Sequence, residues 1–331
     1  MNDHGTALRE AHTRNVTSGE VRAAAARIAG KAVRTPVITA LDLSERFGVE
    51  CGIKAESFQR TGSFKFRGAY NFIATLDPGE RARGVVAPSS GNHGQAVACV
   101  AAMFGIPATI VMPTTVTAFK RAGVDRYGAV SALAGTTSDD RLARALEVAR
   151  ETGAVLVPPY DHPAIIAGQA TCGLEMVEDR SDARTFLVPV GGGGLSAGIA
   201  MIIKAERPGS RVVIVEPAGA AKLSAAWTAG VPVQLDGTAS VADGLLATKI
   251  GSRNFEHLRQ FADEVVTVTD KEIAEAVSYL FRELKLVAEP SGATTTAALL
   301  TGKVVPATET IAVLSGGNIS IDALGSLCIL S

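Results

Sequence analysis

Short apolar, β-branched runs recur along the chain, separated by Ala-rich or amphipathic stretches. The runs GVVAPSS, ATIVMP, AVSALAG, AVLVPPY, TFLVPVG, RVVIVEP and TIAVLSG have the length and composition of buried strands. Between them, DDRLARALEVARETG and DKEIAEAVSYLFRELKL repeat apolar residues at helical spacing. Strands that stay apolar at successive positions are covered on both faces, so the alternation predicts an α/β chain with parallel sheets between helices. At 331 residues the chain is too long for one five-stranded sheet, and two α/β layers are expected.

One segment invites a different reading. No charge occurs from Gly94 to Phe119, a length that would span a bilayer. Gly105 and Pro107 divide it, however, into an Ala-rich helix, QAVACVAAMF, and a strand, ATIVMP. The N-terminal MNDHGTALREAHTRN is polar with mixed charge and has no apolar core of a secretory signal, so a loose lead-in to a helix is expected.

Charge narrows the partner. With 32 basic against 33 acidic residues, no overall field attracts nucleic acid or an anionic membrane, and a small molecule is favoured. Cys51, Cys99, Cys172 and Cys328 are scattered without a CxxC pair, which points to a reducing cytoplasm and to neither a zinc site nor a disulfide framework.

Glycine-rich loops close three of the strands: SSGNHG after VVAP, GGGG after LVPV, and SGGN after AVL. In open parallel sheets ligands bind at that edge, where helix N-termini converge. The loop LVPVGGGGLSAG admits three readings. Gly192, Gly194 and Ala197, with Glu216 at the end of the next strand, fit the fingerprint of an NAD-dependent dehydrogenase. Gly194, Ser196 and Gly198 fit the nucleophile elbow of an esterase. Against the first, the loop lies beyond mid-chain; against the second, the only later histidine is His257, in the charged stretch RNFEHLRQ. The third reading is a nest of bare N–H groups before a helix, suited to a phosphate monoester. Together with Lys65, set between phenylalanines in TGSFKFRGAY, the nest implies a phosphorylated aldehyde held by a lysine, and pyridoxal phosphate fits that description.

The motifs FQRTGSFKFRGA, SSGNHGQA, AGQ, VPVGGGGLSAG, VEP, ADG, EPSG and LSGGN occur in that order from about Arg34 to Asn318. On them the chain resembles the fold-type II pyridoxal-phosphate enzymes of the threonine dehydratase and serine racemase family. The resemblance implies two parallel-sheet α/β domains, a large cofactor-binding one from 1–54 plus 159–331 and a small substrate-closing one from 55–158, in a homodimer. It implies that Lys65 carries the cofactor, its amine kept partly neutral by apolar rings, that Phe64 packs beside the cofactor ring, that Gly191, Gly192, Gly193 and Gly194 bind the phosphate, that Asn92 donates to the phenolic oxygen, and that Ser315 meets the pyridine nitrogen. Ser89, Ser90, Gly91, Asn92 and His93 would receive the substrate carboxylate. Ser90 would be the second acid/base of a racemase. His93 has no ligand partner nearby in sequence and is not expected to bind metal.

The activity implied is elimination of water from threonine or serine, with serine racemisation or 3-hydroxyaspartate dehydration as alternatives. Ala247, where racemases of the family carry a serine, favours the dehydratase. Arg141 matches an arginine that serine racemases place near the substrate; its plainer role is a solvated residue at the start of a helix. The chain ends soon after SGGN, so feedback by isoleucine is not expected. Some relatives bind a divalent cation after the strand ending in VEP, through that glutamate, a carbonyl four residues on and an acid two residues later. Here these positions are Glu216, Ala220 and Lys222. A lysine at the third position argues against a metal. Its ammonium either fills the cation's place or points to water.

Overall fold

The computed structural model describes residues 15–89 and 91–329, so the lead-in before Asn15 and the position of Ser90 lie outside the described residues. Among the described residues, ten strands form two sheets. The larger sheet contains β1 (Val37–Thr39), β2 (Cys51–Ala55), β7 (Thr185–Pro189), β8 (Arg211–Pro217), β9 (Glu264–Val268) and β10 (Thr310–Leu314), in the order β1-β2-β10-β7-β8-β9. The smaller contains β3 (Val85–Pro88), β4 (Ala108–Met112), β5 (Val130–Leu133) and β6 (Val155–Leu156), in the order β5-β4-β3-β6. Every run expected to be a strand falls on one of these, and the uncharged segment is helix Asn92–Phe104 followed by β4, with Gly105 closing the helix in the left-handed region. Among the described residues no helix is long and apolar enough to cross a membrane.

Both faces of the larger sheet are dry. Phe186, Val188, Ile214, Ile311 and Val313 enter one core, while Leu187, Val213, Val215, Ala312 and Leu314, their neighbours along the same strands, enter the other. Successive side chains point to opposite faces, so helices on both sides demand the unbroken apolar runs seen in the sequence.

Both sheets are parallel as expected, apart from one edge where β1 runs antiparallel to β2, with Val37 opposite Lys54. Neither strand has a strong pattern: β1 has three residues, and β2 carries Gly52 and Lys54. Gly52 is required because a Cβ there would lie 2.5 Å from Val37 Cγ1. Lys54 is buried because its Nζ donates to Glu175 Oε2 and the Thr35 carbonyl, each at 2.7 Å. The stretch DKEIAEAVSYLFRELKL forms helix Asp270–Arg282, which starts at the Thr269 capping box and stops short of the apolar pattern's end, with Lys285 in the left-handed region at φ 58°.

A buried ionic network fixes helix Lys65–Thr75. Arg67 donates Nε and Nη2 to Glu56 at 2.8 Å each, and Nη1 and Nη2 to Glu175 at 2.7 and 2.8 Å. Burial alone would raise the Glu56 carboxyl, but the Arg67 guanidinium outweighs it and holds Glu56 below the usual range. The same helix crosses helix Pro163–Asp179 at a glycine contact: a Cβ on Gly168 would lie 2.7 Å from Gly68 Cα. The start of the Lys65 helix is therefore held by charge from one side and by close backbone packing from the other.

Candidate active site

The C-terminal ends of β3, β7 and β10 converge on a cavity of about 910 Å³. Its wall includes Phe64, Lys65, Ser89, Gly91, Asn92, His93, Arg141, Gly191 to Gly194 and Ser315, so the described candidates for cofactor and substrate binding line one cavity.

The loops are stitched to one another by backbone and amide bonds. Phe64 N donates to Ser315 O at 3.1 Å, Gly317 N to Gly62 O at 2.9 Å, and Ser63 pairs with Gly316. Asn318 Nδ2 donates to Thr61 O and to Asn92 Oδ1, both at 2.7 Å. Gly62, at φ 71°, leaves room for that amide: its Cβ would stand 2.5 Å from Asn318 Oδ1.

The Lys65 side chain projects into the cavity with its Nζ 5.2 Å from the Phe64 ring centroid and donating to Pro159 O at 2.7 Å. Burial pushes its ammonium down to about 8. His93 Nε2 lies 3.0 Å from the Val157 carbonyl, an arrangement that places the ring proton there. Burial first, then Lys65, push His93 down to about 3, so the imidazole is neutral.

Opposite, helix Gly194–Glu206 begins at Gly193, whose φ of 103° only glycine adopts readily. The amides of Gly191, Gly192 and Gly193 donate to no acceptor among the described residues. Those of Gly194 to Ser196 belong to the first helical turn, where no intrahelical acceptor exists. The Gly192 carbonyl is occupied by Gly251 N at 3.1 Å and Asn254 Nδ2 at 2.8 Å. A Cβ on Gly192 would enter the Tyr160 ring, which packs on the loop. The donor set, several amides at a positive helix end with nothing to satisfy them, fits a phosphate.

The two rival readings of this loop lose their residues. Ser196 Oγ is buried and donates to Gly193 O at 3.1 Å. His257 is tied to Val16 N and Arg253 O. Glu216, the acid a dinucleotide ribose would need, is fully buried and accepts from Leu223 N, Ser224 N and Ser224 Oγ.

Two features had no assigned role in the sequence reading. Tyr160 carries no pattern that would have marked it. Glu289, in EPSG, sits at the N-cap of helix Pro290–Leu300 without capping it. Its Oε1 instead accepts from Asn92 Nδ2 at 2.6 Å, and burial pushes its carboxyl up to about 8. An acid among apolar residues immediately before Pro290 was the available signal. Arg141, given as a candidate, reaches the cavity wall rather than extending wholly into water: Nη2 donates to Ser138 Oγ at 2.9 Å, and Nε is buried without a partner among the described residues.

Two parallel-sheet units, a lysine of lowered basicity and an unsatisfied amide cradle across one cavity define an enzyme that binds a phosphorylated aldehyde cofactor. The chain belongs to the pyridoxal-phosphate dependent enzyme family, whose profile matches residues 28–316. It is 40% identical over 309 residues to an L-threonine ammonia-lyase of Thermotoga maritima, covering 93% of this chain and 77% of that protein. It is 36% identical over 312 residues to an L-threo-3-hydroxyaspartate ammonia-lyase of Saccharomyces cerevisiae, covering 94% and 96%. Among solved structures, maize serine racemase superposes with a TM-score of 0.91 at 36% identity, covering 95% of this chain and 97% of that one.

Proposed function

We propose that the chain is an ammonia-lyase that dehydrates L-threonine and L-serine to 2-oxo acids with release of ammonia. The observation that carries this reading is the site composition: the Gly191 to Gly194 cradle, the Lys65 amine and, at the end of β10, the Ser315 hydroxyl where a carboxylate is absent. The similarity to the Thermotoga ammonia-lyase supports it. Pyridoxal phosphate, when bound, supplies an electron sink that acidifies the substrate α-carbon. A hydroxyl such as Ser315 does not hold a pyridine nitrogen protonated as a carboxylate does, which favours prompt loss of a β-leaving group over a long-lived carbanion. Lys65 Nζ, its basicity lowered to about 8 by burial, takes the α-proton. Ser89, Gly91, Asn92 and His93, at the start of helix Asn92–Phe104, orient the substrate carboxylate. Phe64 and Asn92, both on the cavity wall, would hold the cofactor, Phe64 by packing and Asn92 through the amide proton that Glu289 does not take.

Purified protein should be yellow, borohydride should fix the cofactor to Lys65, and 2-oxo acid should form from L-threonine and L-serine. A yellow protein that turns over no β-hydroxy amino acid would sink the lyase reading.

A second reading, 3-hydroxyaspartate as substrate, is favoured by Arg141: its buried, unpartnered Nε on the cavity wall marks a guanidinium with capacity for an acidic side chain. The similarity to the yeast 3-hydroxyaspartate ammonia-lyase supports it as well. Under this reading Arg141→Ala lowers kcat/KM for L-threo-3-hydroxyaspartate by about a hundred-fold, the value of roughly one charge-assisted hydrogen bond, and leaves L-threonine within a few-fold. Equal effects on both substrates would remove Arg141 from the site.

The strands of the smaller sheet all lie within 55–158, which supports that segment as the unit that closes over substrate. We place the enzyme in the cytoplasm as a homodimer. Exposed Phe58, Val287 and Ile321, near the SGGN loop, offer an apolar surface for the second subunit. Light scattering that finds a fully active monomer would refute the dimer.

A further inference from the structure

Lys222 lies outside the cavity wall and has no part in the chemistry above, yet its side chain is completely buried. Its Nζ donates to three carbonyl oxygens, of Val190 at 2.8 Å and of Ala220 and Leu245 at 3.0 Å each. The Glu216 carboxylate, equally buried, stands 3.7 Å away and is itself filled by Leu223 N, Ser224 N and Ser224 Oγ. An ammonium has three N–H groups and a neutral amine two, so three acceptors at bonding distance specify the charged form.

The acceptors come from three separate parts of the chain. Val190 is the residue before the glycine cradle, Ala220 belongs to the loop after β8, and Leu245 follows Asp243 and Gly244. The last pair matters because Gly191 packs directly on the Gly244 carbonyl, 3.1 Å from where its Cβ would stand. Three carbonyls and one carboxylate around a single positive charge form the oxygen cage that a hard cation takes. With an ammonium already at its centre, the cage does not fit a divalent ion.

We propose that Lys222 is a tethered cation: its ammonium takes the place of a free metal ion and, through the Val190 and Leu245 carbonyls, positions the Gly191 to Gly194 loop for the cofactor phosphate. This rests on the assignment of that loop as the phosphate site. Lys222 is thus a positioning residue, and its first effect is on cofactor affinity.

The test measures pyridoxal-phosphate binding and thermal unfolding of wild type, Lys222→Met and Lys222→Asp, each in EDTA and with calcium or magnesium. Wild type should respond to neither chelator nor metal in either readout. Lys222→Met, which leaves the cage without a cation, should bind the cofactor roughly ten-fold more weakly or worse, with no recovery on adding metal. Lys222→Asp should match Lys222→Met in EDTA and regain cofactor affinity and melting temperature with calcium or magnesium. If a variant is unfolded in EDTA, its folded yield with and without calcium gives the same reading: recovery of Lys222→Asp supports the proposal, and no recovery overturns it. The proposal also fails if wild type loses affinity in EDTA, if Lys222→Met binds as wild type does, or if folded Lys222→Asp ignores both metals. A wild-type chain that takes up no pyridoxal phosphate would instead overturn the cradle assignment, leaving the metal response of Lys222→Asp melting to judge the cage.

Discussion

Glu289 offers a sharp test of how the fold controls protonation at the site. Burial pushes its carboxyl from 4.5 to about 8, even though Asn92 donates to it and favours the ionised form, while Asp243 adds to the upward displacement. The folded chain therefore keeps a proton that the unfolded chain gives up above pH 4.5. This group's contribution to stability is present in full below pH 4.5, is lost steadily as pH rises to about 8, and changes no further beyond. The displacement corresponds to roughly 5 kcal/mol at most. Glu289→Gln keeps an oxygen for Asn92 and has no proton to lose, so relative to wild type it should be neutral near pH 5 and more stable at pH 9. Unfolding entropy of about 2.1 cal/mol/K per residue gives about 0.7 kcal/mol/K for the whole chain, so the gain is up to about 7 °C. The assay is thermal unfolding of both proteins, stripped of cofactor, from pH 5 to pH 9 at fixed ionic strength. A difference in melting temperature that is constant across this range would refute the reasoning, because it would mean that wild-type Glu289 does not change its ionisation there.

Two further outcomes follow from the same geometry. The Lys65 amine titrates near 8, so the rate at which cofactor-free protein captures pyridoxal phosphate should rise about ten-fold from pH 7 to pH 9 and then level off; a rise continuing towards pH 10.5 would mean an ordinary lysine. Arg67→Met strips the buried Glu56 carboxylate of its guanidinium partner and leaves the part-buried Glu175 with Lys54 alone, and should cost about 3–5 kcal/mol, a fall of roughly 4–7 °C in melting temperature. A melting temperature unchanged at pH 7.5 would show that the network relaxes or that the carboxylates take up protons at little cost.

The strands and the three glycine loops were legible in the sequence because local composition reports them directly. A strand covered on both faces must be apolar at consecutive positions, as β7, β8 and β10 are, and bare amides in GGGG have few structural purposes other than close approach or anion binding. Convergence of the SSGNHG, GGGG and SGGN loops then follows from the polarity of parallel strands, whereas Lys65, which lies on none of them, was tied to the phosphate nest by its chemistry, and Asn92 and Ser315 were singled out by the family resemblance. Tertiary structure alone decided the fate of the buried charges. Arg67 is compensated by Glu56 and by Glu175, the latter 108 residues away, and Lys54 by Glu175, 121 residues away. Lys222 is compensated largely by backbone carbonyls, which every residue possesses and which leave no trace in the order of side chains. The choice for Lys222 between filling a cation's place and pointing to water was open in the sequence for that reason: the letters record the charge, and only the fold determines which oxygens surround it.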